Sequence, residues 1–96
     1  MIRSFKGPGT EDIFNGENFK AARKTCPETI WKMAFRKLDQ LDSVESLDEL
    51  RVPPANRLET LRGDRKGQYS VRINDKYRLC FVWSDAPEDV EIVDHH

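Results

Sequence analysis

The chain has 96 residues, 38% of them hydrophobic and 34% charged, with a net charge of −1. That length limits it to one domain, expected over residues 1–96, and the balance of apolar to charged residues excludes a disordered chain. The longest apolar run, Leu79-Cys80-Phe81-Val82-Trp83, falls far short of the roughly 20 residues of a membrane-spanning helix, and no apolar signal core opens the chain, so a cytoplasmic protein with no membrane partner is expected.

Ile2-Arg3-Ser4-Phe5 alternates apolar and polar before the breakers Gly7-Pro8-Gly9 and reads as a short first strand. Thr10 is placed to cap a helix, with Glu11 and Asp12 in its first turn and Gly16 to stop it. Pro27 is suited to a first helical position, and Ile30, Trp31, Ala34, Phe35, Leu38 and Leu41 follow at helical spacing as one apolar stripe that should pack on a sheet. Ser43 is expected to cap a short turn holding Val44, Leu47 and Leu50, ended by Pro53-Pro54.

From Arg57 the period becomes two. Arg57 to Leu61 reads as a strand, Gly63 to Gly67 as a turn, Tyr69–Ile73 and Tyr77–Trp83 as a hairpin, and Asp89–Val93 as the last strand. The fold class expected is α+β, with an N-terminal strand and two to three helices packed on one face of a twisted, antiparallel-rich sheet. Tyr69, Tyr77, Trp31 and Trp83 fall on the core side of the pattern. Cys26 and Cys80 form no CxxC and have no flanking His at ligand spacing, so buried thiols are expected and neither a disulfide framework, a metal site nor a cofactor is signalled.

Charge is unevenly spread. Residues 51 to 78 carry eight basic side chains against Glu59, Asp64 and Asp75, a local excess of five, which leaves −6 for the remainder of a chain whose total is −1. A basic half of this kind suits a polyanion, although solvated surface charge would give the same composition. The hairpin sharpens the reading. For Tyr69, Val71 and Ile73 to share the core face with Tyr77, Leu79 and Phe81, the loop must hold an odd number of residues, most simply Asn74-Asp75-Lys76, which sets Arg72 opposite Arg78. Like charges across a strand pair repel unless an anion or a carboxylate lies between them. Arginine's planar fork of donors suits phosphate; pairing with acidic side chains of the protein is the alternative.

The runs Pro54-Ala55-Asn56-Arg57-Leu58-Glu59, Leu61-Arg62-Gly63-Asp64-Arg65, Gly67 to Asp75 and Tyr77-Arg78-Leu79-Cys80-Phe81, with the opening Met1 to Phe5 and the closing Val90 to Asp94, resemble the signature of HigB-type toxins of the RelE superfamily. The likeness spans nearly the whole chain. It implies a RelE-like small domain that enters the ribosomal 30S A site and cuts mRNA as a metal-independent endoribonuclease. It also implies a HigA-type helix-turn-helix antitoxin as partner, with operator DNA reached only through that antitoxin, which is expected to cover part of the sheet and helices.

In that chemistry the substrate's own 2′-hydroxyl attacks the adjacent phosphate, and the protein supplies a base, an acid and positive charge. Glu59, amid arginines, is the candidate base, where some relatives have histidine; a plain ion pair is the alternative. Arg78 is a candidate catalytic cation, and Arg57, Arg62, Arg65, Arg72 and Lys76 are candidate phosphate-binding residues. The family typically ends in Asp-Tyr-His. Asp94 and His96 therefore carry over as candidate catalytic groups, His96 as the acid, while His95 replaces a tyrosine and is assigned to RNA binding. Paired histidines also match the remains of an added tag. Two non-cleaving readings share the basic face: an RNA- or ribosome-binding translation blocker, and a co-repressor acting with its antitoxin.

Overall fold

The structure, a computed structural model, describes residues 1–94. Helix α1 (Pro8–Phe14) begins where Gly7, at φ 86°, turns the chain and Pro8 supplies a preset helical φ. Gly16, at φ 74°, turns the chain out after it. Thr10 is not the cap. It lies inside the helix, buried, and its Oγ1 accepts a hydrogen bond of 3.0 Å from the Ile92 backbone N–H, across 82 residues. A helix-internal threonine and a capping one look alike in sequence; here Pro8 has already started the helix two residues earlier.

Helix α2 (Lys20–Thr25) was not anticipated, because its six residues bury only Ala22 and are too few to show a period. It packs closely on α1: a Cβ added at Gly9 would sit 1.8 Å from Thr25 Oγ1 and 2.6 Å from the Ala21 carbonyl oxygen. After a 3-10 turn over Glu28–Ile30, α3 (Trp31–Ser43) buries Ala34, Leu38 and Leu41 as the stripe requires. Phe35 lies at the stripe's margin, 42% exposed and stacked on Phe14. Ser43 ends α3, its hydroxyl donating to the Asp39 carbonyl; the residue that caps the following 3-10 turn (Leu47–Arg51) is Ser46, in a reciprocal box with Glu49.

Four antiparallel strands follow in the spatial order β1-β2-β3-β4: β1 (Glu59–Thr60), β2 (Gln68–Arg72), β3 (Tyr77–Trp83) and β4 (Pro87–Asp94). The architecture is α+β, as expected. Two strands are shorter than the alternation suggests. Arg57 is outside β1, in the left-handed region at φ 46° after a 3-10 turn over Pro54–Asn56. At the other edge, the expected first strand is reduced to a parallel bridge between Phe5 and Val90, with backbone hydrogen bonds from Arg3 to Pro87, Lys6 to Val90 and Val90 to Ser4. Gly7 and Pro8 break it before a longer ladder can form.

The β2–β3 hairpin has the anticipated register, Val71 facing Leu79 and Arg72 facing Arg78. Its loop is held by Asn74, whose Oδ1 accepts the backbone N–H groups of Lys76 at 2.9 Å and Tyr77 at 2.7 Å. Leu38 and Leu41 of α3 meet Val71, Leu79, Phe81, Val90 and Ile92 of the sheet in one core, with Tyr69, Tyr77, Trp31 and Trp83 packed around it. Cys26 and Cys80 are buried free thiols. No described helix is long and apolar enough to cross a membrane.

Candidate active site

One face of the sheet meets the helices, so the other carries the polar half of the alternation. Ser70 and Arg72 on β2 oppose Cys80 and Arg78 on β3, and Glu91 and Val93 of β4 oppose Cys80 and Arg78 in turn. Together with Leu61 and Arg65 before β2, and Asp94, several of these residues line a cavity of about 280 Å³.

Arg78 is the most firmly held group there, only 5% exposed. Its Nε donates to Ser70 Oγ at 2.8 Å, and its Nη2 donates to the Arg57 carbonyl at 2.6 Å and to the Ser70 carbonyl at 3.4 Å. The left-handed turn at Arg57 aims that carbonyl into the site. Glu59 lies opposite Ser70 in the β1–β2 pairing, which brings its Oε2 within 3.6 Å of Arg78 Nη2. The two ends of this pair differ: the Arg78 side chain is 7% exposed and that of Glu59 52%. The guanidinium is thus oriented by a hydroxyl and two carbonyls, and the half-exposed carboxylate beside it is accessible from solvent.

Arg65 donates to Gln68 Oε1 at 3.1 Å and to Glu91 Oε1 at 2.9 Å, and Lys6 lies 3.8 Å from the same Glu91 oxygen. Lys76 Nζ is 3.9 Å from Asp94 Oδ2. Arg65, Arg78, Glu59 and Asp94 thus converge on the cavity and its rim, with Lys76 beside Asp94. Arg72 does not converge with them. Its register opposite Arg78 is as expected, but its guanidinium turns away to the Asp75 carboxylate while Arg78 is drawn to Ser70 and Arg57, so the chain relieves the like-charge contact internally. Arg57 contributes its carbonyl here, its side chain being exposed like that of Arg62. His95 and His96 lie outside the described residues.

Ser70 and Cys80 belong to the site and were not anticipated. The available signal for Ser70 is a small hydroxyl at the outward position between Tyr69 and Val71. Burial pushes the Cys80 thiol up from its ordinary value, which keeps it protonated and a poor nucleophile. The cavity therefore offers carboxylates and fixed positive charge, a set suited to proton transfer beside an anionic centre.

The α+β sheet with this hollow on its helix-free face has the architecture of a RelE-like fold, as a solved structure shows. A chain of the YoeB-YefM complex from Staphylococcus aureus has the same fold, with a TM-score of 0.60 over 100% of this chain and 99% of that one at 18% identity. The family model described as RelE-like toxin of type II toxin-antitoxin system HigB matches residues 3–96, and the chain belongs to this HigB-like toxin family. Toxin HigB-1 of Vibrio cholerae serotype O1 (strain ATCC 39315 / El Tor Inaba N16961) is 37% identical over 86 residues, 90% of this chain and 87% of that protein. An uncharacterized protein of Haemophilus influenzae (strain ATCC 51907 / DSM 11121 / KW20 / Rd) is 36% identical over 70 residues, 73% of this chain and 69% of its own.

Proposed function

We propose that this toxin is a ribosome-dependent mRNA endoribonuclease, one toxin domain over residues 1–96 acting in the cytoplasm, which cuts mRNA in the A site of the 30S subunit and so stops translation. A HigA-type antitoxin is its partner, and operator DNA is met only through that antitoxin. The observation that carries the reading is the Glu59–Arg78 pair: a half-exposed carboxylate 3.6 Å from a buried, fully oriented guanidinium at the rim of an open cavity.

The chemistry follows from that arrangement. Glu59 takes the proton of the ribose 2′-hydroxyl, and the freed oxygen attacks the adjacent phosphorus. Charge building on the equatorial oxygens is met by Arg78, with Arg65 at the cavity wall, and neither cation must reorganise as it does so. The bond from phosphorus to the 5′ oxygen breaks, and that oxygen takes a proton from an acid, the role assigned to His96 with Asp94 beside the cavity. The products are a 2′,3′-cyclic phosphate and a 5′-hydroxyl. His95, Arg57, Arg62 and Lys76 bind flanking RNA.

The test is in vitro translation with the purified toxin and mapped mRNA 5′ ends. Cuts bearing 5′-hydroxyls within the A-site codon, absent when ribosomes are omitted, are expected. Arrested translation on intact transcripts would overturn cleavage in favour of occupancy.

A further inference from the structure

A second cavity, of about 270 Å³, opens at the end of β2, between α3 and the turn that precedes β1. Three cations line it, Arg36 and Lys37 of α3 and Arg72 of β2, over an apolar floor of Met33, Ala55 and Ile73. No carboxylate is among the described residues that line it. Lys37 Nζ donates to the Oδ1 of Asn56, a neutral acceptor. Asn56 is fully buried and itself locked, its Nδ2 donating to Gln40 Oε1 at 3.0 Å and to the carbonyls of Leu50 at 3.0 Å and Val52 at 3.3 Å. The ammonium is therefore oriented by a buried network. Arg36 is exposed and has no ion pair among the described residues. Arg72 has Asp75, whose side chain is 98% exposed, and an ion pair so open to water is weak and readily exchanged for another anion.

Burial first, and the charge of Arg72 second, hold the Lys37 ammonium below its ordinary value. Cations set facing one another in a partly dry hollow are relieved by an anion between them. Arg72 also links the two cavities, since it lies directly across from Arg78, about 5 Å away at the backbone level. A strand with its scissile phosphate on Arg78 would pass Arg72 on leaving the first cavity by that edge.

We propose that this second cavity is a phosphate subsite that holds a neighbouring backbone phosphate of the same single-stranded RNA, on Arg36, Lys37 and Arg72, with the ribose over Met33 and Ala55. This rests on the ribonuclease reading above. It predicts that substrate grip depends on the length of RNA beyond the cut.

The test is fluorescence anisotropy on the full chain with 2′-O-methyl RNAs, which cannot be cut: a dinucleotide confined to the first cavity, and a hexanucleotide that reaches the second. Arg36→Gln is the informative variant, because Lys37 is tied to the buried Asn56. It should weaken hexanucleotide binding about three- to tenfold and lower the salt slope by about 0.7, as for one lost contact to a single strand, with little change for the dinucleotide. Arg36→Lys should recover most of the loss, and Lys32→Gln, elsewhere on α3, should cause none.

An unchanged hexanucleotide affinity, equal losses at both lengths, or a wild-type chain that does not bind the hexanucleotide would overturn the subsite. So would tighter, Arg36-dependent binding of a hexaglutamate peptide, which would assign the cavity to a protein carboxylate. Cleavage in the translation assay is scored separately. A wild type that cuts, with a flat Arg36→Gln result, overturns the subsite alone, and one that does not cut overturns the ribonuclease reading whatever the anisotropy shows.

Discussion

Arg78 Nη2 donates to the backbone carbonyl of Arg57 at 2.6 Å across 21 residues, so one guanidinium ties the left-handed turn before β1 to the floor of the sheet cavity. Lysine cannot replace it, having no planar fork to reach Ser70 and Arg57 at once. Arg78→Lys is expected to lose about 2–3 kcal/mol in urea unfolding, from charge-assisted bonds broken in a buried place, and to lose cleavage as well. Stability matching the wild type would show that the bond to Arg57 contributes little.

Glu59 separates chemistry from folding. Its carboxylate is half exposed and 3.6 Å from Arg78, so Glu59→Gln should change stability by less than about 1 kcal/mol. As a general base it should be worth about 10²–10⁴ in single-turnover cleavage. A normal cleavage rate in Glu59→Gln would remove it from the mechanism and leave it as the partner of Arg78.

Gly9 is required by the packing of α1 on α2. A methyl group there meets Thr25 Oγ1 and the Ala21 carbonyl, the second of which is backbone and cannot swing aside. Gly9→Ala should therefore destabilise by about 1–3 kcal/mol, despite the better helix propensity of alanine. Adding Thr25→Ala removes the nearer clash and should restore part of the loss, measured by thermal melts.

The Glu49 carboxylate accepts the backbone N–H groups of Ser46 and Glu45, each at 2.7 Å, and these bonds hold it below the usual carboxylate range. A depressed folded value means that its contribution is complete above the unfolded value of about 4.3 and is lost as pH falls through the folded one. The melting temperature of Glu49→Gln should lie below that of the wild type at pH 7, and the two should converge in acid. A gap of constant size down to pH 3 would count against the charged box.

Alternation together with the simplest odd-numbered loop was enough to place Arg72 across from Arg78, because a strand's period of two restricts the loop to odd lengths if both hairpin faces are to meet the core. The heads of those side chains were not legible. Their directions depend on a carbonyl delivered by the left-handed Arg57 and on a salt bridge to Asp75, neither of which has a periodic signal. Thr10 misled for a similar reason, since its hydroxyl is used by β4 rather than by its own helix. The second basic cavity was hidden more deeply. Arg36 and Lys37 lie off the apolar stripe of α3, where charge carries no periodic signal of a site, and only the buried Asn56 shows that Lys37 is aimed.

The bridge from Phe5 to Val90 has a consequence for synthesis. Ser4 and Asp89, joined through the serine hydroxyl, are 85 residues apart, and Val90 and Ile92 supply core that no earlier residue can replace. Contacts of such sequence separation form late in folding. A nascent chain that has not yet delivered β4 has an open core, an unpaired β3 edge and only part of the wall around Arg78. The sheet and the cavity beside Arg78 are therefore completed only after β4 has emerged from the ribosome.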